Sequence, residues 1–104
     1  MTTEQHHPRH GLDETIHSPV RLSIVAALAP MSQMEFPLLR DTIEASDSLL
    51  SKHMTILESA GYVAVTKGHV GKRPRTWLAL TDQGRAAYTA YLDALRHLVE
   101  DSGS

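Results

Sequence analysis

The chain has 104 residues, of which 41% are apolar and only 5% aromatic, so it can form one domain with a single modest core built chiefly from Leu, Ile, Val, Ala and Met. Cysteine is absent, which excludes disulfides, thiolate metal ligands and thiol redox chemistry, and no apolar run approaches the roughly 20 residues a membrane-spanning helix requires. A net charge of −2 argues against a polyanionic partner only until its distribution is considered: no acid falls between Ser59 and Thr81, whereas Lys67, Lys72, Arg73 and Arg75 do.

Residues 1–11 are polar, carry His6, His7 and His10, and show no apolar periodicity. They lack the apolar centre of a secretory signal and are expected to form a flexible tail before a domain at 12–104, with the cytoplasm as the expected location. A helical pattern begins near Leu12. Ser18 followed by Pro19 is a helix start, because Ser caps free N–H groups and Pro at the first position forfeits no bond. From Pro19 to Ala29 the residues Val20, Ile24, Ala27 and Leu28 recur on one face, and Pro30 ends the run.

Met34 to Phe36 reads as a short extended segment, a candidate third strand. Pro37 opens a helix of about two turns with Leu38, Leu39 and Ile43 inward. After a polar connection, a cap at Ser46 or Asp47 starts the next helix, which runs to Ala60 and stops at Gly61. On a helical wheel of about 100° per residue, Leu50, Met54 and Leu57 form its core arc. The opposite arc holds Ser48, Ser51, Lys52, Thr55 and Ser59, with Leu49 and Ile56 at its border. Small hydroxyls allow close approach to bases or phosphates, Lys52 can reach guanine or phosphate, and Leu49 can touch a thymine methyl. A solvated helix face would look the same from the wheel alone. His53, at the edge of the core arc, reads as a hydrogen-bonded, partly buried histidine.

Tyr62 to Lys67 is a β-branched run and Arg75 to Leu80 a returning strand, joined by a turn over His69 to Pro74. Gly68 and Gly71 offer the positive φ that hairpin turns need, and Pro74 stiffens the return. Lys72, Arg73 and Arg75 fall within four positions; charges that merely guard a sheet edge would require fewer. Thr81 caps a last helix, Asp82 to about Glu100, with Tyr88, Tyr91, Leu92, Leu95, Leu98 and Val99 at helical spacing. That stripe exceeds what one small protomer covers, so a partner copy is expected to seal it, with help from Leu12 and Ile16. The order α-β-α-α-β-β-α makes the fold class mainly α with a small β-hairpin: a winged helix-turn-helix.

The segments SKHMTILESAGY (Ser51 to Tyr62), GHVGKRPRT (Gly68 to Thr76) and LTDQGRAA (Leu80 to Ala87) resemble the small winged helix-turn-helix transcriptional regulators of the ArsR/MarR-like class. They are most similar to the bacterial and archaeal "winged helix DNA-binding domain" family, and the likeness covers about Leu12 to Leu98. The resemblance implies a prokaryotic regulator, most simply a repressor, that binds a pseudo-palindromic operator on double-stranded DNA as a homodimer. It implies contacts from Ser48, Ser51, Lys52, Thr55, Lys72, Arg73 and Arg75. It supplies no effector.

No cofactor or metal is expected. Asp93, His97 and Glu100 share a face of the last helix, but the earlier ligands of metal-sensing relatives are replaced by Gly84, Arg85 and Ala86. No phosphate loop, zinc-hydrolase motif or nucleophile elbow is present, so an enzyme is not expected. The alternative is a winged helix that binds protein; retention of Lys52, Lys72, Arg73 and Arg75 weighs against it.

Overall fold

The computed structural model describes residues 7–103. A 3-10 turn at Pro8–Gly11 is followed by α1 (Pro19–Leu28), β1 (Met34–Glu35), α2 (Phe36–Thr42), α3 (Asp47–Ser59), β2 (Val63–Val70), β3 (Arg73–Leu80) and α4 (Asp82–Gly103). The three strands form one antiparallel sheet in the order β1-β3-β2. Helices and sheet close on a core of Ile24, Val25, Leu28, Met34, Leu39, Leu50, Met54, Leu57, Val63 and Leu78. The fold is therefore the winged helix-turn-helix that the element order predicts. Among the described residues, no helix is long and apolar enough to cross a membrane.

Local chemistry explains where the helices begin and end. Ser18 Oγ accepts from Arg21 N–H and opens α1, with Pro19 at the first position. The Ser46 hydroxyl, not Asp47, caps α3 by accepting from Leu49 N–H at 3.1 Å. Both ends of the helix-turn-helix close with paired backbone bonds that need a left-handed residue. After α3 that residue is Gly61, at φ 82°, with Tyr62 N–H bonded to Leu57 C=O. After α2 it is Glu44, at φ 56°, with Ala45 N–H bonded to Arg40 C=O. A side chain thus occupies a conformation that glycine holds at lower cost.

Thr81 joins wing to α4. Its hydroxyl donates to Gly61 C=O at 2.6 Å and accepts from Gly84 N–H at 2.9 Å, while its own N–H reaches Tyr62 C=O. The N-terminal turn of α4 lies so close to the residue before β2 that a Cβ on Gly84 would stand 2.0 Å from the Tyr62 carbonyl oxygen. Glycine is required here for space rather than for φ.

Several expectations need correction. Residues 12–17 are a turn rather than a helix: Asp13 C=O accepts from Ile16 and His17 N–H, and its carboxylate takes Thr15 N–H and the Tyr62 hydroxyl. Pro8–Gly11 is not a free tail but a 3-10 turn packed along α4, with Gly11 close against Ala94; residues 1–6 of the expected tail lie outside the described residues. Leu38 points outward, 53% exposed, because about 100° of helix separates it from buried Leu39, whose i+4 neighbour Ile43 shares the core side. The hairpin is longer than expected, with Val70 paired to Arg73 across a two-residue turn. Only Gly71 has positive φ there, at 64°. Gly68 instead makes room for the Trp77 ring, 3.2 Å from where a Cβ would be.

Candidate nucleic-acid interface

Helix α3 exposes a polar face because its buried residues, Leu50, Met54 and Leu57, recur on the core side, with Leu49 and Ile56 at the border. Ser48, Ser51, Lys52 and Thr55 are all exposed, and Leu49 is 37% exposed at the border. The Thr55 hydroxyl donates back to Ser51 C=O at 3.0 Å, so toward a ligand it offers acceptor lone pairs. Ser48 Oγ lies 3.4 Å from the capping Ser46 Oγ, leaving the first turn lined with hydroxyls.

The hairpin stands beside this helix, and the two frame one groove. Its walls are Phe36, Ser51, Met54, Thr55 and Glu58 on one side and Val65, Lys67, Thr76 and Leu78 on the other. Lys67 is therefore a groove residue, one not singled out among the candidate contacts. The signal for it was strand parity: Val63 and Val65 face the core, and period 2 puts Lys67 on their side, beyond the point where the core ends. Lys72 and Arg73 are exposed at the tip.

Arg75 is different. Its Nη1 lies 2.5 Å from Glu35 Oε2 in β1, and both side chains are about two-thirds buried. Register explains the pairing: Glu35 sits opposite Trp77 on β3, and Arg75 shares the outer face of that strand two residues away. The expected set of three wing cations without a nearby acid is thus corrected: among the described residues Lys72 and Arg73 have no acidic partner at the tip, and Lys67 joins them. No sequence pattern signals a partner forty residues away.

Charge near the N-terminus of α3 is also managed. Asp47 would oppose a phosphate there, but Arg40 of α2 bridges it at 2.8 Å and Asp41 at 2.9 Å. The hydrogen bonds to both carboxylates push the Arg40 guanidinium above its usual range, and Arg40 holds Asp41 below the carboxylate range. On the flank of α3 away from the hairpin, His53 Nδ1 lies 3.0 Å from Arg21 Nη1. Burial first, then the charges of Arg21 and Lys52, lower the His53 pKa, so the neutral ring accepts from Arg21. This is the partly buried, hydrogen-bonded histidine that the wheel predicts.

The expected partner face on α4 divides in two. Leu92 is 38% and Val99 62% exposed, and with Leu95 they line a shallow apolar groove. Leu12, Tyr88 and Leu98 are partly covered. Ile16 and Tyr91 are buried within the protomer, Ile16 completely and Tyr91 with its hydroxyl 2.8 Å from His17 Nδ1. Those two have no surface left for a partner, because the 12–17 turn folds back over α4. Asp93 is engaged by Arg96 and His97 of its own helix.

The sequence matches the family described as "Winged helix DNA-binding domain" over residues 20–99. It is 32% identical over 76 residues to the uncharacterized protein MJ0432 of Methanocaldococcus jannaschii, covering 73% of this chain and 83% of that one. Among solved structures, the transcriptional regulator homologue from Pyrococcus horikoshii OT3 superimposes with a TM-score of 0.82 at 26% identity, over 89% of this chain and 93% of that one. A MarR-family transcriptional regulator from Silicibacter pomeroyi shares the fold, with a TM-score of 0.65 at 20% identity, over 92% of this chain and 64% of that longer one.

Proposed function

This chain belongs to the winged helix DNA-binding domain family, and from that premise we infer a homodimeric, sequence-specific transcriptional repressor that binds a pseudo-palindromic operator. That it is a DNA-binding regulator follows from the family and its relatives. The observation that carries the finer reading is the shared orientation of two elements. Hydroxyl-lined α3, with Lys52, and a hairpin bearing Lys67, Lys72 and Arg73 flank one groove on one side of the molecule. A helix of about 10–12 Å diameter fits a major groove of about 12 Å, which leaves the hairpin over the adjacent phosphates. In this reading Ser48, Leu49, Ser51, Lys52 and Thr55 meet base edges and nearby phosphates, while Lys72 and Arg73 hold the backbone. Arg75 acts through Glu35 to set the hairpin against β1.

One such surface reads one half-site. The 22 residues of α4 reach about 33 Å at about 1.5 Å per residue, well beyond the core. Its exposed Leu92 and Val99 and partly buried Leu95, flanked by Leu98, Tyr88 and Leu12, suit a second copy across a two-fold axis. Pairing there would place two α3 helices about one DNA turn apart, roughly 34–36 Å. A regulatory rather than catalytic role fits the relatives named above, which include a transcriptional regulator homologue.

The test is selection of bound sites from random duplexes with the purified protein. A two-fold symmetric motif is expected, bound by a dimer, and Leu95→Glu should sediment as a monomer with sharply weaker operator binding. Failure to retain any duplex in dilute salt would reject the reading; retention with an asymmetric motif and an unchanged sedimentation coefficient for Leu95→Glu would reject the dimer.

A further inference from the structure

Arg21, the third residue of α1, is partly buried, and two uncharged acceptors set the orientation of its guanidinium. Its Nε donates to Thr15 C=O at 2.5 Å and its Nη1 to His53 Nδ1 at 3.0 Å. Arg40, Arg75 and Arg96 each have a carboxylate within ion-pair distance, but among the described residues neither Arg21 nor neighbouring Lys52 has one. His53 supplies no counter-charge, since an imidazole is either neutral or cationic, and burial and both cations favour its neutral form. Partly buried charge without a counter-charge is costly unless a ligand supplies one.

Its position says which ligand. At about 100° per residue, His53 is about 160° around α3 from Ser51, which lines the groove toward the hairpin. Arg21 is therefore on the opposite flank of α3 from the wing, beside the border marked by Leu49 and Ile56. A helix in the major groove has a sugar-phosphate strand on each flank, and the hairpin can reach only one of them.

We infer that Arg21, held by His53 and Thr15 and assisted by Lys52, is a second phosphate-binding site that grips the duplex backbone on the α1 flank of α3. The two flanking strands are then held from opposite sides, Lys72 and Arg73 on one and Arg21 on the other. Because the guanidinium is already oriented, little rotamer freedom remains to be lost on binding. The site rests on the DNA-binding reading and assigns to it a contact outside α3 and the wing.

The experiment compares wild type, Arg21→Gln and Arg21→Lys on an operator selected from random duplexes, across a salt series. Arg21→Gln keeps a hydrogen-bonding side chain without the charge. It is expected to weaken binding about 10- to 100-fold and to lower the slope of log K against log salt by about 0.9. Arg21→Lys is expected to restore the slope with only part of the affinity. Weaker binding with an unchanged slope would make Arg21 a purely structural residue and overturn the proposal. If Arg21→Gln fails to fold by circular dichroism, phosphate-ethylation interference on the wild-type complex decides: interference on both flanks of each half-site supports the site, and on the wing flank alone overturns it. Wild-type protein that binds no duplex would instead sink the DNA reading, and this site with it.

Discussion

Gly84→Ala sets helix propensity against steric fit at the joint between wing and α4, and the two effects have opposite signs. Propensity favours alanine inside a helix by about 1 kcal/mol at most. Sterics oppose it: the new Cβ would stand 2.0 Å from Tyr62 O and 2.8 Å from Tyr62 C. Restoring an ordinary separation of about 3.5 Å requires the start of α4 to move by roughly 1.5 Å. That shift pulls Gly84 N–H from the Thr81 hydroxyl and Thr81 N–H from Tyr62 C=O. Losing the cap costs about 1 kcal/mol, the backbone bond about 1, and residual overpacking about 1–3. A net loss of about 2–4 kcal/mol remains after the propensity gain, which for a domain of this size lowers the melting temperature on the order of 10–20 °C. Urea and thermal unfolding at fixed chain concentration measure it, since the apparent stability of the proposed dimer would depend on concentration. The displaced α4 should also alter half-site spacing, so any Gly84→Ala protein that folds should prefer a changed operator spacer. An unchanged or raised melting temperature would refute the close approach as the reason for glycine.

Three further outcomes are expected. Arg73→Ala should lower the salt slope of DNA binding by about 0.9, whereas Arg75→Ala, whose charge is paired to Glu35, should leave the slope nearly unchanged; equal losses would overturn that division. Glu44→Gly should raise stability by about 0.5–1 kcal/mol in urea unfolding by relieving φ 56°, and a loss would show that the Glu side chain compensates for its backbone. His53 has a folded-state pKa below 6.5 through burial, Arg21 and Lys52, so below pH 6.5 the unfolded chain binds the extra proton first. Stability from this group is full above about 6.5 and falls as pH drops toward the folded value. His53→Gln should flatten that acid limb, and an unaltered limb would remove His53 as its cause.

Much of the architecture was legible in the residues. Ser18-Pro19, Gly61 and Thr81 mark their element boundaries because caps and left-handed stops are local chemistry, written within four residues. The core arc Leu50, Met54 and Leu57 and the hydroxyl face opposite it follow from helical periodicity alone. Where the sequence misled, the deciding partner was distant. Ile16 and Tyr91 looked like a partner face until the turn at Asp13 folded over α4 and covered them. Leu38 looked inward with Leu39 and Ile43, but the core of the folded chain covers only the Leu39 side of α2.

The charges divide in the same way. A string of letters determined that Lys67, Lys72, Arg73 and Arg75 crowd one hairpin free of acids along the chain, and therefore that this protein offers a cationic wing beside a polar helix. Only the folded chain decided which of those charges remain available. Pairing of β1 with β3 carries Glu35 to Arg75, and packing of α1 on α3 carries Arg21 to His53. Backbone conformation depends on near neighbours in sequence, whereas Coulomb forces and burial depend on neighbours in space, and sheet pairing and helix packing choose those.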